Sequence, residues 1–168
     1  MAETKQGLSR RKLLLGFAPG LVKEQEAPAS EELEPEELTQ GVEALEAGDF
    51  AKAVDLLRPF VKENKGNVEA RAALGLALFK SEQYVQAKVE FDRLVYGGRR
   101  DKLASLYQGL CLLKMDKADK AADSFRTYVN PDDDPVQDEL YAQLQRMASG
   151  SSAEEVSQAV EAALAKKS

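Results

Sequence analysis

The sequence predicts an all-α fold, an antiparallel helix-pair solenoid, and three observations predict it. Residues recur at one interval of 34: Gly41, Gly75 and Gly109; Ala53, Ala87 and Ala121; Leu57, Phe91 and Phe125. An interval held across independent columns without insertion marks stacked two-helix units that bury one another. Apolar residues keep helical spacing with hardly a pause from Glu36 to Lys166. The composition, 43% hydrophobic and 31% charged with no Trp, is that of helix formers around an aliphatic core.

Taken in order, residues 1–35 form a flexible segment rich in charge, Pro and Gly, with Pro28 and Pro35 bracketing an acidic linker. Helices are expected at 36–47, 50–63, 68–80, 84–96, 102–114, 118–129, 136–148 and 153–166. Turn residues separate them, among them Gly48-Asp49, Gly66-Asn67, Gly97-Gly98 and Asn130-Pro131. Connections this short make consecutive helices antiparallel neighbours. Ser152 followed by Glu155 reads as a capping box opening the last helix. The organisation is thus a tail over 1–35, three units over 36–131, and a degenerate fourth pair over 132–168 that caps the stack.

Each column has a physical task. Gly41, Gly75 and Gly109 sit inside first helices, where glycine costs about 1 kcal/mol relative to alanine. Repetition of that cost points to close helix approach, with Ala53, Ala87 and Ala121 as the small partners on the second helices. The columns Phe50 and Tyr84, Leu57 with Phe91 and Phe125, and Phe60 with Leu94 and Tyr128 are expected to fill the space between units. In the fourth pair, Gln143 and Glu155 stand where Gly and Ala are expected.

The residue inventory excludes several chemistries. The chain has no His, which removes the commonest general base, the usual transition-metal ligand and Ser/Cys-His nucleophiles. One cysteine, Cys111, allows neither an internal disulfide nor a thiolate cluster, and its setting in Leu110-Cys111-Leu112-Leu113 is that of a buried hydrophobe. Gly97-Gly98-Arg99-Arg100 lacks the length and the Lys-Ser/Thr ending of a phosphate loop. A net charge of -6 opposes nonspecific attraction to nucleic acid. Asp132 to Asp134 lacks the alternation and central Gly of a calcium loop. No enzyme, no metal and no cofactor is expected.

A second apolar stripe runs down the first helices, about 100° from the glycines. It comprises Leu38, Val42 and Leu45, then Ala72, Leu76 and Phe79, then Leu106, Leu110 and Leu113. Lys80, Tyr107 and Lys114 flank it, placed to hold a partner's carboxylate or backbone. Left open, such a surface is a binding groove; the alternative is packing against neighbouring helices or the cap.

The columns resemble the tetratricopeptide repeat, a 34-residue helix-turn-helix with small residues at its eighth and twentieth positions. Ala73-Leu74-Gly75 with Tyr84, Ala87 and Phe91, and Gly48-Asp49-Phe50 with Ala53, carry the resemblance over residues 34–131. Departures are Gln40 and Gln108 at a position usually held by a large residue, and Ala118 at one usually aromatic. The resemblance implies a right-handed superhelix with the second stripe on its concave face. That family's clamp for terminal carboxylates is absent, since Leu38, Val42, Ala72, Leu76 and Leu103 occupy the inner columns. An extended or amphipathic client segment with apolar anchors fits better.

Ser9-Arg10-Arg11, followed by Lys12-Leu13-Leu14-Leu15, resembles the bacterial twin-arginine motif, with Leu for the usual Phe. Three readings stay open: an export signal, a retained peptide that docks on a partner or in the chain's own groove, and an unrelated basic tail. No segment approaches the roughly 20 apolar residues of a membrane span. The expected role is a cytoplasmic protein-protein interaction scaffold or assembly chaperone, with periplasmic placement as the alternative. An accessory subunit of a membrane-associated redox complex and a type III translocator chaperone are the other roles of this class.

Overall fold

The computed structural model describes residues 35–99, 102–128 and 135–167. Among these the chain forms α1 (Glu36–Glu46), α2 (Phe50–Glu63), α3 (Val68–Lys80) and α4 (Tyr84–Leu94). A π-helical turn, Val95–Arg99, follows α4. Then come α5 (Lys102–Lys114), α6 (Ala118–Thr127), α7 (Pro135–Ala148) and α8 (Ala153–Lys167). The fold is an all-α solenoid of helix pairs, and the described residues contain no strand. The helix expected at 84–96 differs most: after Leu94 the chain widens into the π turn, and Val95 and Tyr96 lie within it.

Helix ends follow local chemistry. The Asp49 carboxylate accepts from Lys52 N–H at 3.2 Å, and Asn67 Oδ1 accepts from Ala70 N–H at 2.8 Å. Both side chains satisfy donors that the first turn leaves without partners. At α8 the Ser152 N–H donates to Glu155 Oε2 at 3.2 Å while Glu155 N–H donates to Ser152 Oγ at 3.3 Å. The capping box read from the sequence is therefore formed.

The turn inside each pair is built identically. Gly48, Glu82, Asp116 and Gly150 have φ of +80, +60, +57 and +94°. The next residue's N–H reaches back five positions: Asp49 to Ala44 O, Gln83 to Leu78 O and Lys117 to Leu112 O, each at 2.9 Å, and Ser151 to Arg146 O at 3.1 Å. This is a left-handed helix stop repeated four times. The fourth pair keeps the turn although it lacks the small-residue columns.

Packing confirms close approach at the glycines and reassigns their partner. A Cβ on Gly75 would lie 2.8 Å from Phe91 Cε1, and one on Gly41 would lie 2.6 Å from Leu57 Cγ. Gly109 faces Phe125 more tightly still. Leu57, Phe91 and Phe125 thus press on the glycine of their own unit, and Phe91 also stacks on Tyr107 of the next unit, as expected of a residue between units. Ala53, Ala87 and Ala121 are fully buried. Units join where α2 packs on α3 and α4 packs on α5.

The fourth pair breaks this order. The contact of α6 with α7 is small beside α2 on α3 or α4 on α5, and α8 instead packs on α5. Val136, Leu140, Val156 and Val160 enter the same core as the three units.

Candidate functional site

The nine apolar residues expected to line an open groove are all buried: Leu38, Val42, Leu45, Ala72, Leu76, Phe79, Leu106, Leu110 and Leu113. The expectation of an exposed groove made by these side chains is corrected. First helices need a second apolar face because they lie between their own partner and other helices. In the third unit one of those is α8, and Leu106 and Leu110 have no exposed surface at all.

The three flanking residues have separate fates. Lys80 is exposed, its ammonium 5.8 Å from the centroid of the Phe79 ring. Tyr107 is not a rim residue; its ring stacks on Phe91 at 5.3 Å and meets Phe79 edge-on at 5.6 Å. Burial, helped by Glu161, pushes its phenol up to about 12. Lys114 holds carboxylates, as the sequence suggested, but they belong to its own chain. Its Nζ lies 3.2 Å from Glu154 Oε1 and 3.5 Å from Glu161 Oε1, both on α8.

That cluster is electrostatically self-consistent. Burial by itself would lower the Lys114 ammonium, yet the Glu154 hydrogen bond and the field of Glu161 hold it above its ordinary value. Glu154 is held below its ordinary value by the Gln158 amide and by Lys114. Lys114 ends α5 and Glu154 begins α8, so each charge also suits the dipole of its own helix. Beside the pair opens a cleft of about 590 Å³ lined by Glu82, Tyr84, Leu113, Lys114, Asp116 and the start of α8. Burial and then Glu82 raise the Tyr84 phenol.

Two polar seams were not anticipated, one within the second unit and one joining the second unit to the third. Arg71 on α3 donates to Glu90 of α4 at 2.6 Å and to Lys65 O at 2.7 Å, and Arg93 holds the other Glu90 oxygen at 2.7 Å. Gln108, a departure in the sequence columns, donates to Asp92 at 2.6 Å and accepts from Ser124 Oγ at 3.0 Å. Asp92, Gln108 and Ser124 lie 16 residues apart in succession, a spacing that links equivalent helix faces of adjoining helices. The Cys111 thiol is buried and pushed up to about 12 by that burial. Among the described residues no group of three Cys, Asp or Glu is placed to hold a metal, and no helix is long and apolar enough to cross a membrane. Ser9, Arg10 and Arg11 lie outside the described residues.

The glycine contacts, the repeated left-handed turns and the pairwise order of helices agree with one family. A tetratricopeptide repeat model matches residues 44–110, from α1 into α5. Over those residues the stack is similar to a tetratricopeptide-repeat solenoid. No curated protein and no solved structure matches the chain. Tetratricopeptide repeats mediate protein-protein interaction and are not catalytic units. In this stack the chain's own last helix, α8, packs on α5 of the third unit.

Proposed function

We propose that this solenoid is a non-enzymatic scaffold or assembly chaperone that takes an extended or amphipathic segment of another protein on the inner face of its repeats. The observation that supports the reading is the character of α5: a buried apolar row, Leu106, Leu110 and Leu113, ending in a lysine that pairs carboxylates of an amphipathic helix. A surface that accommodates one such helix has the shape and charge to accommodate another. Glu82 and Asp116 beside Lys114 restrict the choice further, because a client must set its acid on the lysine and keep other acids away.

The test is capture of a native partner by chemical cross-linking to the intact protein, followed by mapping of the linked residues. Links should fall at Lys80, Lys114 and Lys117, and the double change Lys80→Glu, Lys114→Glu should remove the partner while the helical circular dichroism stays unchanged. Undiminished capture by that folded variant rejects the inner face as the binding surface.

A further inference from the structure

We infer that α8 is a built-in, displaceable occupant of the α5 face, and that the ligand it stands in for is a partner helix with an acidic first turn and apolar residues four positions apart. The inference rests on the interaction reading above and names the ligand class and its control.

The occupant itself supplies the specification. Val156, Val160 and Ala163 are buried at spacings of four and three residues, one stripe of a helix. Glu154 and Glu161 stand seven residues apart, two turns along the same helix, and both reach Lys114. Gln158 lies between them and donates to Glu154 at 2.9 Å. Apolar stripe and acidic stripe together make the pattern that the α5 face reads.

Release is favoured by the way the last pair is attached. Within the repeats each second helix packs broadly on the next first helix, whereas α6 makes only a small contact with α7. The last pair is held on the stack by two limited contacts, α8 on α5 and α7 on α6. A terminal pair held in this way opens at lower cost than the units that it covers. The repeats retain their own glycine contacts and both polar seams, none of which involves α8.

The probe is a synthetic peptide of residues 153–167, tested against the full chain. In the unmodified protein, hydrogen exchange should show α8 amides at least tenfold less protected than those of Leu106–Leu113, and added peptide should lower α8 protection further. The variant Val156→Asp, Val160→Asp, in which α8 is undocked, should bind the peptide at least tenfold more tightly, because the internal competitor is gone. A peptide carrying Glu154→Lys and Glu161→Lys should bind at least tenfold more weakly. Equal protection of α8 and α5 in the unmodified chain overturns the inference, whether or not the variant folds. So does a folded variant that ignores the peptide. If a native partner is cross-linked to the inner face while α8 stays fully protected, the inference fails and the interaction reading stands.

Discussion

Replacing Gly75 by alanine isolates the contact that organises the stack. Helix propensity alone would make the change favourable by about 1 kcal/mol. The new Cβ would stand 2.8 and 2.9 Å from Cε1 and Cζ of Phe91, closer than carbon atoms pack. The ring would have to withdraw, but it is fully buried and stacks against Tyr107 at 5.3 Å with planes 16° apart. Overpacking of that kind costs about 1–3 kcal/mol, which leaves a net loss of about 1 kcal/mol after the propensity gain. Urea unfolding followed by circular dichroism measures it, and Gly109→Ala should lose more because Phe125 is nearer still. Phe91→Ala opens a cavity of its own, so the double variant Gly75→Ala, Phe91→Ala should be less destabilised than the sum of the singles by about 1–2 kcal/mol. A Gly75→Ala protein as stable as the parent, with additive singles, would show that close approach does not account for the glycine column.

Three further outcomes follow from other contacts. Glu82 and Asp116 hold left-handed φ where two other units have glycine, so Glu82→Gly and Asp116→Gly should each raise stability by about 0.5 kcal/mol, and Gly48→Ala should lower it by about 1 kcal/mol in the same urea assay. Arg71→Met leaves the buried Glu90 with Arg93 alone and frees Lys65 O, a loss of about 2–3 kcal/mol that thermal unfolding reports. The pairing of α8 to α5 is bounded by pH. Glu154 has its folded value depressed, so its contribution is complete above the ordinary carboxylate value of 4.5 and is lost as pH falls through the folded value. Lys114 has its folded value raised, so its contribution is complete below 10.5 and is lost as pH rises through the folded value. Glu161 and Tyr84 face the same lysine, and Glu82, in the same cleft, faces Tyr84. Hydrogen exchange in α8, corrected for intrinsic rate, should therefore quicken in acid before that in α3, and Lys114→Met should remove the difference.

Much of the fold was legible because a repeat states each fact several times. The interval fixed the helix pairs, the glycine column fixed where helices touch, and Ser152 with Glu155 fixed the last start. The partner of the glycine was misassigned because periodicity says that two columns are buried but not which of their contacts lies within a unit. The site was less legible. Leu106, Leu110 and Leu113 were found by helical spacing, yet spacing cannot tell a face open to solvent from one covered by a helix 40 residues further on. Lys114 was found as a carboxylate holder, and its acids were missed because only the fold sets Glu154 and Glu161 of α8 against the end of α5. Gln108 looked like a defect in its column for the same reason: its partners Asp92 and Ser124 are polar residues in other columns, and only the fold sets them against it.

The fourth pair shows which part of the repeat governs which property. Its turn retains the left-handed residue, Gly150, and the five-residue backbone bond from Ser151 to Arg146, so it forms a helix pair like the others. Its packing columns are altered: Gln143, almost wholly buried and bonded to Glu139, replaces the glycine that would admit a large side chain from the second helix. The turn is preserved; the small-large contact sets how closely the two helices of a pair approach and hence the surface they offer the next pair, and that is what changes. A pair with the first and without the second remains a hairpin but has no reason to continue the stack in register. Folding back is what remains to it, with Val156 and Val160 directed into the core that α5 shares and Glu154 on Lys114. Restoring the column with Gln143→Gly should therefore weaken the hairpin by about 1 kcal/mol through glycine's helix cost, without rebuilding the stacking of α7 on α6, because no large side chain waits on α8: the residue 16 positions on is Ala159. The pair Gln143→Gly, Ala159→Phe supplies both members. If the reasoning is right, it tightens α7 against α8 and lowers the protection of α8 on α5; hydrogen exchange unchanged from the parent in both helices would count against it.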